Sequence, residues 1–117
     1  VLAEYGGDGN VFQHAEILPE VEYNGSFMPE ERETRIHEIQ WGIIAKHPYL
    51  VSSYLWNMFD FCAPMWSRGG VPARNMKGMV TFDRQIKKDV FYWYKANWSG
   101  EPVVYISDRR LVERKQL

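Results

Sequence analysis

The sequence holds a single cysteine, Cys62, which excludes an internal disulfide and a zinc site built from cysteines. Long apolar runs are missing as well. The longest uncharged stretch, residues 48–59, is too short for a bilayer and is interrupted by Ser52, Ser53 and Asn57, so no membrane insertion is expected. Neither sign of charge dominates: 14 Lys and Arg against 15 Asp and Glu leave a net charge of −1, which removes any global electrostatic case for nucleic acid. No spacing of His, Cys and carboxylates resembles a zinc or calcium site, and no Gly-x-Ser-x-Gly elbow marks a serine nucleophile. Gly6-Gly7-Asp8-Gly9 lacks the spacing of a dinucleotide-binding loop. Neither a metal nor a cofactor is expected.

Aromatic side chains are plentiful, at 15% of the 117 residues. Flat apolar rings fill cores, and they also stack on sugar faces and nucleobases. Composition leaves both uses open.

Punctuation and periodicity give the element order. Residues 1–5 break into Gly6-Gly7 and read as the end of a buried strand. An irregular segment to Met28 precedes a helix that opens with Pro29, Glu30 and Glu31 and ends at His47-Pro48. Within it Ile36, Ile39, Ile43 and Ile44 form one apolar stripe, expected to be the buried face. Residues 49–59 read as a strand buried on both faces, as in a parallel sheet. A long loop, 61–81, carries Pro64, Gly69, Gly70, Pro72 and Gly78, and a loop of that length is usually functional, disordered or misassigned. Asp83 is the expected cap of a second helix with Ile86, Val90, Trp93 and Tyr94 on one face. Residues 102–106 read as the start of another strand. The basic run of Arg109, Arg110, Arg114 and Lys115, interleaved with Asp108 and Glu113, reads as solvated. The order is two βα units, the repeat of α/β folds with parallel sheets. A lone strand at each end would leave bare edges, so the chain is expected to be an excerpt of a longer protein.

Several residues could carry chemistry. Glu4 stands at the carboxyl end of the first strand, either as an acid opening a solvated loop or as a carboxylate held rigidly beside a ligand. Trp56, with Asn57 and Asp60, closes the second strand and is either a core ring or the floor of a sugar site. Asn75 and Lys77 place a neutral donor and a cation two residues apart in the long loop, where they are merely solvated or converge on hydroxyls or a carboxylate. His14 lies in the irregular segment near Glu16, and His37 lies in the first helix.

Taken together, three strings resemble glycoside hydrolase family 2, the family of β-galactosidases, β-glucuronidases and β-mannosidases. They are Glu4-Tyr5-Gly6-Gly7, then Tyr54-Leu55-Trp56-Asn57-Met58-Phe59-Asp60-Phe61, then Asn75-Met76-Lys77-Gly78-Met79-Val80-Thr81-Phe82-Asp83-Arg84. The helix that begins Lys87-Lys88-Asp89-Val90 continues the match, which covers residues 1–98 and more loosely the rest. The resemblance implies the C-terminal part of a (β/α)8 barrel at residues 1–99, with strands 7 and 8 and their helices. Residues 100–117 would lead into an immunoglobulin-like β-sandwich.

It also implies a retaining exo-β-glycosidase acting on a carbohydrate, with a homo-oligomeric parent left open. Glu4 would be the nucleophile, a role that demands a carboxylate kept ionised by donors or nearby positive charge. Trp56 would line the pocket for the nonreducing sugar, with Asn75, Lys77 and His14 as further sugar contacts. The partner acid would lie in an Asn-Glu pair, and none of Asn10, Asn24, Asn57, Asn75 or Asn97 precedes an acid, so the chain alone is expected to be inert. Asn75-x-Lys77 matches the pattern with which glucuronidases hold the sugar carboxylate. The Trp-Asn-Met-Phe-Asp-Phe run and the Lys-Lys-Asp helix look more like the galactosidase branch, which is the preferred expectation, with β-glucuronidase as the alternative. A noncatalytic carbohydrate-binding module is the more distant alternative.

Overall fold

A parallel pair of strands flanked by two helices forms the frame of the molecule. The computed structural model describes residues 1–107 apart from 19 and 21. In chain order the elements are β1 (Leu2–Tyr5), α1 (Glu30–Ile44), β2 (Ser53–Leu55), β3 (Phe61–Cys62), a short 3₁₀ turn (Arg68–Gly70), β4 (Arg74–Asn75) and α2 (Asp89–Trp98). β1 and β2 run parallel, with Leu2 opposite Ser53 and Tyr5 opposite Leu55. Parallel neighbours need a crossover, and α1 supplies it. β3 and β4 make a small antiparallel hairpin inside the long loop, pairing Phe61 with Asn75 and Cys62 with Arg74. The two βα units expected from the sequence are therefore present.

α1 starts where the acids cluster. Pro29 is its N-cap, with φ −64° and ψ 147°, and Glu30, Glu31 and Glu33 occupy the first turn at the positive end of the dipole. The buried face is not the expected one. Ile39 is 49% exposed and Ile43 54%, whereas Glu30, Glu33 and His37 are fully buried. Those three residues, spaced by three and four, continue into Trp41 and Ile44, which pack against the core. The aliphatic spacing was real, but the interior above this part of the sheet is polar. It selects the side chains that can bond there.

The remaining differences have local causes. Residues 49–59 are not a strand buried on both faces: the strand proper is Ser53–Leu55, paired with β1, residues 57–59 bond residues 77–80 with an isolated bridge at Phe59 and Val80, and Val51 (83%) and Tyr54 (59%) lie open among the described residues. Asp83 does not cap α2. Its Oδ1 accepts from the Thr81 hydroxyl at 2.6 Å and the Gln85 amide at 3.0 Å, closing a tight turn, and the helix begins only at Asp89. Residues 102–106 form no strand; Tyr105 instead stacks on Tyr92 with centroids 3.7 Å apart. The basic run from Arg109 to Lys115 lies outside the described residues.

The apolar core joins β1 to α2. Tyr5, Met79, Val90 and Tyr94 are its buried members, with Leu2, Trp41, Ile44 and Leu55 packed around them. Loop 61–81 is held by bonds that reach outside it. Arg68 and Asp8 form a buried ion pair at 2.5 Å, and the Asn10 amide donates to the Gly69 carbonyl, so the loop is strapped to the segment after β1.

Candidate active site

The ends of β1 and β2 come together because the Trp56 amide extends the ladder, donating to the Tyr5 carbonyl at 2.8 Å. Two residues after Glu4, Gly6 takes φ +149°, and a Cβ there would fall 2.4 Å from the Trp56 carbonyl oxygen. Only glycine lets the chain turn this closely past its neighbour. His37 fastens the next residue. The Gly7 N–H donates to His37 Nε2 at 3.2 Å, so the ring proton sits on Nδ1, which donates to the Tyr94 hydroxyl at 2.9 Å. Tyr94 in turn donates to the Tyr5 hydroxyl at 3.3 Å. Burial, reinforced by the Lys88 and Lys77 cations, pushes the His37 pKa down to about 4. The imidazole is thus a neutral strut. Burial also raises the phenols of Tyr94 and Tyr5.

Glu4 is half-exposed, and its Oε1 lies 3.8 Å from Lys77 Nζ. Carboxylate and ammonium share the wall of a cavity of about 410 Å³, completed by Leu2, Tyr5, Gly6, Gln40, Ile43 and Ile44. The Lys77 backbone is held by the loop. Its N–H donates to Asn75 Oδ1 at 3.0 Å and its carbonyl accepts from the Asn57 amide at 3.0 Å. Asn75 is buried and acts on Lys77 directly. Trp56 is 43% exposed and meets Phe61 edge-on at 6.0 Å. Among the described residues, neither Trp56 nor His14 lines this cavity. His14 is instead paired with Glu31 on α1, Nδ1 to Oε1 at 2.8 Å. The structure thus joins Glu4, Lys77 and Asn75, keeps Trp56 at the adjoining strand end, and sets His14 apart.

A larger cavity of about 530 Å³ lies between α1, α2 and residues 103–107. It lacks the carboxylate–ammonium pair at a parallel strand end, so the smaller one is the better site candidate. Among the described residues, no group of three or more His, Cys, Asp and Glu gathers as for a metal, and no helix is long and apolar enough to cross a membrane.

Sequence reasoning passed over Lys88. This side chain is fully buried, and its Nζ donates to the Gly9 carbonyl at 2.7 Å, the Met76 carbonyl at 2.9 Å and Asp60 Oδ1 at 3.0 Å, with Glu33 Oε2 at 3.3 Å. Three donors meet three acceptors, so Glu33 receives no hydrogen bond. Burial lifts the Glu33 carboxyl well above the ordinary range against the pull of Lys88, and it raises Asp60 as well. The Lys88–Asp60 contact at 3.0 Å is the shorter of the two ion pairs, and the one that carries a hydrogen bond. Position could have betrayed the residue: Lys88 is the N-cap of α2, and a cation at the positive end of a helix calls for buried anions nearby. Glu30 completes that end by accepting from the Asp89 amide at 2.7 Å.

No family model matches the chain. A β-glucuronidase of Bacteroides fragilis is 40% identical over 116 residues, covering 98% of this chain and 17% of the relative. Among solved structures, a Bacteroides fragilis protein provisionally called a β-galactosidase is 57% identical with a TM-score of 0.87, covering 98% of this chain and 17% of that one. An FMN-binding β-glucuronidase of Faecalibacterium prausnitzii is 38% identical with a TM-score of 0.83, over 96% of this chain and 17% of that one. The chain is a homologue of one segment of these glycosidases. The matches are consistent with the glycoside hydrolase family 2 resemblance read from the motifs. The chain spans about a sixth of the relatives' length (17%), so its fold is a small mixed α/β portion of a larger glycosidase architecture.

Proposed function

We propose that this chain is the nucleophile-bearing part of a retaining exo-β-glycosidase, and that the sugar it receives is a β-glucuronide. In this reading β1 and β2 are the seventh and eighth strands of a (β/α)8 barrel, Glu4 is the nucleophile, and Trp56 borders the sugar. The observation that carries the reading is the Lys77 ammonium held 3.8 Å from Glu4 by a loop in which Asn75 bonds the lysine's own backbone. A Glu4 oxygen bonds to the anomeric carbon as the bond to the leaving oxygen breaks. A second carboxylic acid protonates that oxygen, and water then releases the sugar with the same group as base. Among the described residues, no second carboxyl lines the Glu4 cavity, so the acid is assigned to the rest of the enzyme. Lys77 has a separate task, pairing its ammonium with the sugar carboxylate, a charge-assisted contact worth about 1.5–3 kcal/mol.

The names of the curated relatives favour glucuronide over the galactoside expected from the strand motif. The galactoside reading keeps one specific support, the 57% identical Bacteroides fragilis structure. The test uses the full-length enzyme, a 2-fluoro glucuronide trap and mass spectrometry of the labelled peptide. Labelling at Glu4 is expected, and labelling at another residue overturns the assignment. Chromogenic glucuronide and galactoside then separate the sugars: turnover of galactoside alone would remove the role given to Lys77.

A further inference from the structure

Lys77 owes its placement to polar bonds on both sides of it. The two peptide groups flanking its Cα carry four polar atoms, and all four are bonded. The Met76 carbonyl accepts from Lys88 Nζ at 2.9 Å and the Gly78 N–H donates to Asp60 Oδ1 at 2.9 Å; the other two are the bonds to Asn75 and Asn57. Two of the four therefore end on one buried ion pair, Lys88–Asp60, whose own separation is 3.0 Å. Gly78 is part of the fit, because a Cβ there would fall 2.0 Å from the Asp60 amide nitrogen. The same ammonium also bonds the Gly9 carbonyl, in the segment that follows Glu4. One cation thus references both the loop bearing Lys77 and the segment that leaves β1 to a common point.

We infer that Lys88 and Asp60 are positioning residues that clamp the backbone on either side of Lys77 and thereby fix the ammonium that recognises an anionic sugar. The inference rests on the glucuronide reading. Neither residue touches the sugar. Asp60 holds the amide after Lys77, Lys88 holds the carbonyl before it, and both members of the pair are buried. The Met76 carbonyl has a second donor in the Gly9 amide at 3.1 Å, so it is loss of the Asp60 end, directly or through its Lys88 partner, that leaves Lys77 free to swing on its backbone, and the loss falls on sugar binding before it falls on bond cleavage at Glu4.

A double-mutant cycle in the full-length enzyme, read on an aryl glucuronide, tests this. Lys77→Met alone should lower kcat/KM about 10- to 150-fold, the range for one charge-assisted contact. Asp60→Asn alone should act mainly through KM. In the Lys77→Met background, Asp60→Asn should have little further effect, a coupling of at least about fivefold, which is ordinary for residues acting as a unit. Additive losses would overturn the clamp, because a merely structural role for Asp60 lowers activity in both backgrounds alike. If Asp60→Asn does not yield folded protein, Lys88→Arg takes its place in the cycle, since a guanidinium cannot reproduce the three ammonium bonds. The glucuronide reading fails separately: if Lys77→Met by itself leaves glucuronide turnover unchanged, that reading falls and the clamp's purpose falls with it. Full Lys77 sensitivity with additivity condemns the clamp alone.

Discussion

Acidification should release the turn after Glu4 through His37. This imidazole is fully buried, accepts the Gly7 N–H on Nε2 and gives its Nδ1 proton to Tyr94. A second ring proton would have to face an N–H donor and enter a site already near Lys88 and Lys77. The pKa is accordingly depressed from 6.5 to about 4. A group depressed in the fold stabilises it fully above its unfolded pKa, and that contribution disappears as the pH falls towards the folded value. The window is therefore pH 6.5 down to about 4, and the full shift amounts to about 3 kcal/mol. Glu33 and Asp60, raised by burial, have the opposite sign: their contribution is present at low pH and is lost as the pH rises. The wild-type slope is a difference of these terms, so the comparison must be with His37→Gln, which keeps an acceptor for Gly7 and removes the titration. Hydrogen exchange of peptides spanning residues 1–10, corrected for intrinsic rates, reads the local opening free energy. Wild type should lose up to about 3 kcal/mol relative to His37→Gln between pH 6.5 and 4. Parallel pH profiles for the two proteins would refute the neutral-strut reading.

The other predictions concern backbone fit and the ionic cluster. Gly6→Ala places a methyl group 2.4 Å from the Trp56 carbonyl at a positive φ, so it should destabilise by at least about 1–3 kcal/mol and separate the two strand ends. Gly42→Ala, in the α1 interior with nothing within 4 Å of the new Cβ, should instead stabilise by about 0.5–1 kcal/mol. Melting temperatures of the two variants should therefore move in opposite directions, and a shared direction would contradict the geometry. Lys88→Met leaves Asp60 buried and uncompensated and should destabilise by about 3–5 kcal/mol. Glu33→Gln should fall within about 1 kcal/mol of wild type, because the carboxyl accepts no hydrogen bond and its raised pKa favours the protonated form. Equal losses in denaturant titrations of these two variants would mean that Glu33 is the ionised partner.

The order of the two βα units was legible in the sequence because glycine and proline act locally, whereas the β3–β4 hairpin was not foreseen and the strand expected at residues 102–106 does not form. Gly6-Gly7 ends β1, Pro29 and its acids open α1, and Pro48 closes the segment that follows it. Helix faces were less legible. The Ile36, Ile39, Ile43 and Ile44 spacing is a valid apolar stripe, yet Glu30 and His37 face inward because Asp89 and Gly7, distant in sequence, supply their hydrogen-bond partners, and Glu33 follows them to lie 3.3 Å from the Lys88 ammonium. Periodicity reports which residues share a face. It does not report what chemistry waits opposite. Asp83 misled for a related reason, since its carboxylate suits a turn as well as a cap, and only the bonds to Thr81 and Gln85 decide between them. At the site, Glu4 and Lys77 could each be named from motifs, but their meeting depends on a loop anchored by a lysine that no motif assigned.

A buried ion pair is by itself weak support for stability, since apolar side chains of similar volume replace many such pairs without loss. The Lys88–Asp60 pair differs in what it bonds to. An apolar substitute would fill the space but leave the Gly9 carbonyl and the Gly78 amide without these partners, and each orphaned buried group costs about 1–3 kcal/mol. The Met76 carbonyl would keep its second donor, the Gly9 amide at 3.1 Å, and so could stay in place while the amide two residues later came loose. Replacement would therefore act unevenly along the loop, releasing the side of Lys77 that Asp60 holds. The energetic penalty and the geometric consequence fall at the same residues. The charged interior is thus tied to the direction of one partly buried ammonium more closely than to the hydrophobic core beside it.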